Sequence, residues 1–238
     1  MRARAVSPMA DAEPVSAESA AALACPLCHG GRVTLLLEEA GRPYWRCGVC
    51  ALTFLDPACR LAPDAEFRHY QSHENKVDDP GYRAFLAKLA DPLLAKLTPG
   101  STGLDYGCGP GPALAHMLRE AGHAVALYDP FFSPDPAVLA TDYDFVTCTE
   151  VAEHFFEPAG EFARFDRLLR PGGWLALMTC FQTDDDKFAN WHYRQDPTHV
   201  VFYKRETLAF VADRLGWRFE CPLNDVVLMR KPGDDLAQ

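Results

Sequence analysis

Apolar positions recur along the chain at two periods, and the change from one to the other marks its elements. From Asp79 to Leu97 they fall at helical intervals, with Tyr82, Phe85, Leu86, Leu89, Leu93, Leu94 and Leu97 on or near one face. Pro92 is expected to kink or divide that helix. From Thr102 the pattern becomes strand (Gly103 to Tyr106), glycine turn (to Gly111), helix (Pro112 to Glu120) and strand (Ala124 to Tyr128). Further strands are predicted at Asp144 to Cys148 and Trp174 to Thr179. Between them lie a helix over Ala159 to Leu169 and a turn at Pro171-Gly172-Gly173. A last helix, Arg205 to Leu215, and strands at Arg218 to Cys221 and Val226 to Arg230 complete an α/β unit with a doubly wound, mostly parallel sheet.

The N-terminal part follows a different pattern. Cys25-Pro-Leu-Cys28 and Cys47-Gly-Val-Cys50 are separated by 18 residues, the spacing of a four-cysteine zinc site. Val33 to Leu37 and Pro43 to Arg46 read as the two strands of the hairpin between them. With Cys25, Cys28, Cys47 and Cys50 filling a tetrahedral shell, the expected Zn2+ has no open position and is structural. The implied organisation is a disordered tail over 1–24, a small zinc ribbon over 25–56, a polar linker over 57–77 and the α/β domain over 78–238.

Charge and composition narrow the function classes. With 23 basic against 33 acidic side chains and a net charge of -10, a long non-specific electrostatic grip on nucleic acid is disfavoured. No run of about eighteen apolar residues suggests a membrane span. Arg2, Arg4 and the alanines that follow imitate a secretory start, and Ala22-Leu-Ala-Cys25 imitates a lipid-attachment site. Glu13, Pro14 and Glu18 interrupt the apolar stretch, however, and Cys25 belongs to its Cys-x-x-Cys pair. Nine cysteines, an odd number, suit a reducing compartment, so the expectation is a cytoplasmic protein.

The chemistry centres on Asp105-Tyr-Gly107-Cys-Gly109-Pro-Gly111, at the junction of the first strand and helix of the α/β unit. Glycines there let a ligand approach the backbone. Their alternation lacks the two-residue gap of the dinucleotide fingerprint, and Asp105 would repel phosphates while suiting a cationic or zwitterionic ligand. Other features follow in order: Asp129 after the second strand, Tyr143-Asp-Phe-Val146 in the next, Glu150-Val-Ala-Glu153-His154, and Leu168-Leu-Arg-Pro-Gly-Gly-Trp174. Together they resemble the class I S-adenosylmethionine-dependent methyltransferases over about residues 78 to 230, nearest to a quinone-methylase-like branch whose members often carry a zinc ribbon in front.

The resemblance implies a Rossmann-like fold and S-adenosyl-L-methionine as cofactor. It implies that Asp105 and the Gly107, Gly109 and Gly111 backbone hold the methionine end. Asp129 would accept from the ribose hydroxyls, and the backbone at Thr149 and Glu150 would flank the cofactor. For Asp129 a plain turn-forming role before Pro130 is the alternative. Only 14 residues separate Asp129 from Asp144, too few for the family's usual helix and strand. Phe131 and Phe132 are candidates to cover the adenine, or else pack as core or lid.

Candidate bases for the acceptor are His154, His192 and His199, with packing as the alternative for His154. The long segment Cys180 to His199 reads as an acceptor pocket or lid. It offers Trp191 and Tyr193 for stacking, Arg194 as an anion clamp and Asp196, with Glu153 nearby; an anionic or hydroxylated aromatic acceptor fits. The alternative is a loop that covers the core, with Arg194 paired to Asp196 and His199 bonded to backbone. A metal at His192, Asp196 and His199 is a further alternative, with no second cluster to support it. After the fourth strand there is no Asn or Asp followed by Pro-Pro and an aromatic, and no Pro precedes Cys148, which lowers DNA-base, protein-glutamine and cytosine C5 chemistry.

The leading expectation is therefore methyl transfer to a small molecule at oxygen, with the ribbon packing on or gating the site. A second makes the ribbon an arm for an RNA or protein substrate. A third makes the chain a cofactor-binding adaptor without catalysis.

Overall fold

The computed structural model describes residues 23–71 and 76–233. The expected tail thus falls almost wholly outside the described residues. A first antiparallel hairpin pairs β1 (Val33–Glu39) with β2 (Arg42–Cys47), and β3 (Thr53–Leu55) adds to β2. Helix α1 (Pro63–Tyr70) follows, in the segment read as a linker. Its sequence, Pro-Asp-Ala-Glu-Phe-Arg-His-Tyr, has Pro at the first helical position, acids in the first turn and basic residues in the last, which complement the helix dipole. No residue of α1 is buried, so the apolar periodicity that reveals core helices is missing.

Helix α2 (Pro80–Leu94) starts where Asp79 accepts the Tyr82 amide at 2.6 Å and runs as one helix through Pro92, which sits in its last turn and does not divide it. Next come β4 (Thr102–Tyr106), α3 (Ala113–Glu120), β5 (Ala124–Tyr128), β6 (Tyr143–Thr149), α4 (Pro158–Leu168) and β7 (Leu169–Met178). The short helix α5 (His192–Gln195), β8 (Val201–Phe202), α6 (Arg205–Leu215), β9 (Arg218–Leu223) and β10 (Val226–Arg230) complete the chain. The main sheet has the order β5-β4-β6-β7-β10-β9, parallel across its first four strands, with β10 antiparallel to both neighbours.

One expectation about strands is corrected. Pro171-Gly172-Gly173 does not precede its strand but lies inside it. Tyr143 pairs with Leu169 and Phe145 with Trp174, so residues 170–173 bulge from β7. Gly172 takes φ +80°, and a Cβ on Gly173 would lie 2.9 Å from the Arg170 carbonyl, so glycine is required at both. The hairpin, expected to pack on or gate the site, joins the α/β unit through a strand. Strand β3 pairs with β8, giving a second sheet of order β1-β2-β3-β8.

The apolar core reflects that union. Leu86, Leu89, Leu93, Leu114 and Leu118 of α2 and α3 cover one face of the main sheet. On the other face Phe162, Phe165, Leu208 and Val211 of α4 and α6 join one cluster with Tyr44, Trp45, Phe54 and the buried cysteines of the hairpin. A hairpin this short cannot bury Tyr44 and Phe54 on its own, and each such side chain is worth about 1.5–3 kcal/mol when fully buried. Phe188 and Phe202 supply the missing surface, with ring centroids 5.3 and 6.0 Å from that of Tyr44.

Candidate active site

The site lies beyond the carboxyl ends of β4, β5 and β6, where the parallel strands end and the chain turns. After β4 the Gly107 and Cys108 amides both donate to the Tyr128 carbonyl, at 2.7 and 3.1 Å, fastening the glycine turn to the end of β5. Gly107 has φ +77° and a Cβ there would meet Val151 Cγ2 at 2.4 Å. Gly109, at φ +61°, would point a Cβ into open space, where a ligand can approach the backbone. Asp105 accepts the Thr147 hydroxyl at 2.8 Å, and burial pushes its carboxyl up to about 6. The Thr149 hydroxyl at the end of β6 is buried without a hydrogen-bond partner. Glu150 follows in the left-handed region at φ +52°. A glycine turn open to the backbone, a buried carboxylate and an orphaned hydroxyl together fit a zwitterionic ligand such as the methionine end of the cofactor.

Asp129 shows the turn geometry weighed as its alternative. Its Oδ1 accepts the Phe131 and Phe132 amides at 2.8 and 3.0 Å, and its Oδ2 accepts the Gly109 amide at 3.1 Å. The carboxylate therefore ties the glycine turn to the segment after β5, and Oδ2 retains acceptor capacity. In the short stretch that follows, a bridge between Asp129 and Ser133 and a 3-10 turn at Pro136–Ala140 replace the usual helix and strand. Phe131 packs on α1 with its ring tilted, its centroid 5.3 Å from Phe67 and 5.6 Å from Tyr70. The sequence had no signal for α1 as a site element, yet it joins the two halves of the site. Its Tyr70 sets an edge on His154 at 5.3 Å, and its His69 Nε2 lies 3.1 Å from Asp196. Tyr82 of α2 also belongs here: burial first, then the Asp105 and Glu150 carboxylates, push its phenol up to about 12.

The acceptor-side candidates divide. Glu153, His154 and His199 come together, their ligating atoms all within 4.8 Å of one another. Glu153 is fully buried; Oε2 accepts the Thr179 hydroxyl at 2.9 Å, while Oε1 has no hydrogen-bond partner. His154 Nδ1 faces the Thr198 carbonyl at 3.0 Å and His199 Nδ1 the Tyr193 carbonyl at 2.6 Å. A carbonyl only accepts, so in each neutral ring Nδ1 carries the proton and Nε2 the lone pair. Burial holds His199 below the usual histidine range, with Glu153 opposing that shift. Burial, reinforced by the Glu153 charge, pushes Glu150 up to about 8. Tyr193 links the carboxyls: its hydroxyl lies 3.0 Å from that of Thr179 and 3.3 Å from Glu150.

Arg194 is not an anion clamp. Its guanidinium is buried, donates to the Phe188 and Ala189 carbonyls, pairs with Glu39 of β1 and lies 5.3 Å over the Tyr44 ring. Nor does it pair with Asp196, which accepts from Thr198 and faces His69. His192 is exposed at the start of α5, outside the Glu153 group. Trp191 packs against Tyr193, Phe188 and Phe202. A lone arginine in a polar stretch carries no mark of the distant hairpin that neutralises it.

The cysteines meet as their spacing predicts. Cys25 and Cys50 sulfurs are 3.6 Å apart, Cys28 and Cys47 3.5 Å, and all four lie within 4.8 Å. Tetrahedral Zn–S bonds of about 2.3 Å place sulfurs about 3.8 Å apart, so the donor set fits. The Gly30 and Val49 amides point at Cys28 and Cys47 sulfurs, both at 3.4 Å, which favours thiolates.

A family model described as a methyltransferase domain matches residues 67–221. Ubiquinone biosynthesis O-methyltransferase of Thiobacillus denitrificans is 35% identical over 104 residues, 34% of this chain and 44% of that protein. The chain thus spans less than half the length of that curated relative. A Burkholderia thailandensis 1,6-didemethyltoxoflavin-N1-methyltransferase, solved with S-adenosylhomocysteine, is 18% identical at a TM-score of 0.48, covering 82% of this chain and 98% of its own. Magnesium protoporphyrin IX methyltransferase of Synechocystis is 16% identical at a TM-score of 0.49, covering 71% and 93%. With its glycine turn, parallel sheet and a match over more than half its length, the chain belongs to the methyltransferase domain family, in its class I, S-adenosylmethionine-dependent form.

Proposed function

We propose that the protein transfers the methyl group of S-adenosylmethionine to an oxygen of a hydroxylated aromatic small molecule. The observation that carries this reading is the pair of imidazoles, His154 and His199, held with their Nε2 lone pairs beside buried Glu153 on the acceptor side of the glycine turn. The bound cofactor supplies an electrophilic methyl group. Asp105 and the Gly107 to Gly111 backbone hold its methionine end, Asp129 takes a ribose hydroxyl on Oδ2, and Thr149 and Glu150 flank it. Phe131 covers the adenine edge. Trp191 and Tyr193 form the aromatic wall of the acceptor side. The Nε2 of His154 or His199 takes the hydroxyl proton as the oxygen attacks, and Glu153 stabilises the imidazolium that results. With Arg194 neutralised by Glu39, the acceptor needs no anionic group.

The same reading gives the four cysteines a structural zinc in a ribbon that is built into the α/β unit through β3 and β8, and it gives the protein a cytoplasmic location. Among the described residues no helix is long and apolar enough to cross a membrane. The test is incubation with methyl-labelled S-adenosylmethionine and a host extract split into small-molecule, RNA and protein fractions. Label in the small-molecule fraction is expected. Label in RNA or protein would overturn the acceptor class, and binding without transfer would favour an adaptor.

A further inference from the structure

We infer that the four-cysteine hairpin is a positioning element for His199, so that metal at the cysteines holds this member of the His154–His199 pair in place; this rests on the proposed reading of that pair as the source of the acceptor-side base. The path is short and runs through backbone. Cys47 ends β2, its amide bonds the Leu52 carbonyl at 2.9 Å, and Cys50 stands three residues before β3. One edge of β3 pairs with β2, with Tyr44 opposite Leu55 and Arg46 opposite Thr53. The other edge pairs with β8, with Thr53 opposite Phe202 and Phe54 opposite Val201. Among the described residues β3 is the strand partner of β8, and a two-residue strand has no stability of its own.

The residue after His199 is the point of contact. The Val200 carbonyl accepts the Leu55 amide at 2.8 Å, and the Val200 amide donates to the Glu153 carbonyl at 2.9 Å. Val200 is therefore clamped between the hairpin on one side and the Glu153 turn on the other, which sets the His199 ring against Glu153. Side chains repeat the link. Thr53 donates to Gln182 at 2.6 Å and accepts from Arg46 at 2.9 Å, while Arg46 also pairs with Asp185 at 2.7 Å. Arg194 on α5 closes on Glu39 of β1. Both ends of the segment from Cys180 to Tyr203 thus rest on the hairpin. The hairpin in turn is too small to hold its shape alone, and it leans on Phe188 and Phe202 and, on this proposal, on metal at the four cysteines.

The experiment uses the full chain loaded with zinc, the same chain stripped by chelator, the stripped chain reloaded with Cd2+, and a zinc-loaded Thr53→Val variant. Amide exchange, imidazole nitrogen NMR and calorimetry with S-adenosylhomocysteine are read on each. On stripping, protection at Val200 to Tyr203 should fall at least tenfold while Leu104 to Tyr106 and Ala124 to Tyr128 keep theirs. The His199 ring should lose its single Nδ1–H tautomer and titrate closer to an ordinary histidine, and Cd2+ should restore both. Thr53→Val keeps the metal and should weaken protection at Gln182, whose amide bonds Tyr203. Loss confined to residues 25–55, with the His199 signal and Gln182 protection unchanged, overturns the proposal. If stripping unfolds the whole chain, Thr53→Val decides: unchanged protection at Gln182 and an unchanged His199 signal overturn it. Failure of the loaded chain to bind S-adenosylhomocysteine would instead overturn the functional reading, leaving the exchange result to stand by itself.

Discussion

Replacing Asp105 with Asn should stabilise the protein and weaken its hold on the cofactor. Asp105 is only 4% exposed, and its shift to about 6 from 3.8 comes first from burial, with the Thr147 hydrogen bond opposing it. A carboxyl whose pKa rises on folding binds its proton more tightly in the native state. Its favourable contribution is complete below 3.8 and is lost as pH rises through about 6. At pH 7 the ionised group therefore costs about 3 kcal/mol, the free-energy equivalent of that interval. Asn keeps an oxygen for the Thr147 hydroxyl and removes the charge, so Tm should rise by roughly 6–12 °C at pH 7 for a domain of this size. On the proposed reading, in which Asp105 holds the cofactor's ammonium end, the same change would remove a charge-assisted hydrogen bond worth about 1.5–3 kcal/mol, so S-adenosylhomocysteine should bind about 10- to 150-fold more weakly. Thermal unfolding and calorimetry between pH 5 and 8 check both. In the parent protein affinity should fall about tenfold per pH unit below about 6, and in the variant that slope should vanish. Equal affinity in the two proteins, or a variant less stable at pH 7, would refute the reasoning.

Other outcomes follow from single contacts. Gly107→Ala meets Val151 Cγ2 at 2.4 Å in a left-handed backbone and should lose about 2–4 kcal/mol in thermal unfolding. Adding Val151→Ala should recover the steric part alone. Glu150, pushed up to about 8, contributes stability that is lost as pH rises through that value; Glu150→Gln should flatten the decline in Tm between pH 7 and 9. Arg194→Met leaves the Phe188 and Ala189 carbonyls without their donor and should lower Tm, while S-adenosylhomocysteine affinity stays within twofold. Of His154→Asn and His199→Asn, the one that removes the base should lower methyl transfer from labelled cofactor in the active extract fraction at least a hundredfold with that affinity unchanged, and full activity in both refutes the base assignment.

What the chain determines by itself is local. Helical and strand periods, the proline and glycine turns, and the spacing of Cys25, Cys28, Cys47 and Cys50 are legible because each depends on neighbours within a few residues. The motifs Asp105 to Gly111, Asp129 and Glu150 are legible in the same local way, and the parallel sheet then gathers them at the carboxyl ends of β4, β5 and β6, where the cofactor is proposed to bind. Tertiary structure decided the cluster proposed as the acceptor side. Nothing near Arg194 predicts Glu39, nothing in Val201–Phe202 predicts that β3 will pair with it, and α1 buries no residue that would betray its place over Phe131 and His154. These contacts span 130 residues or more of sequence in the case of β3 and β8, and they form because two short, undersized pieces complete one another's sheet and core. Long-range complementarity of that kind has no local period, so it becomes visible only when the chain is folded.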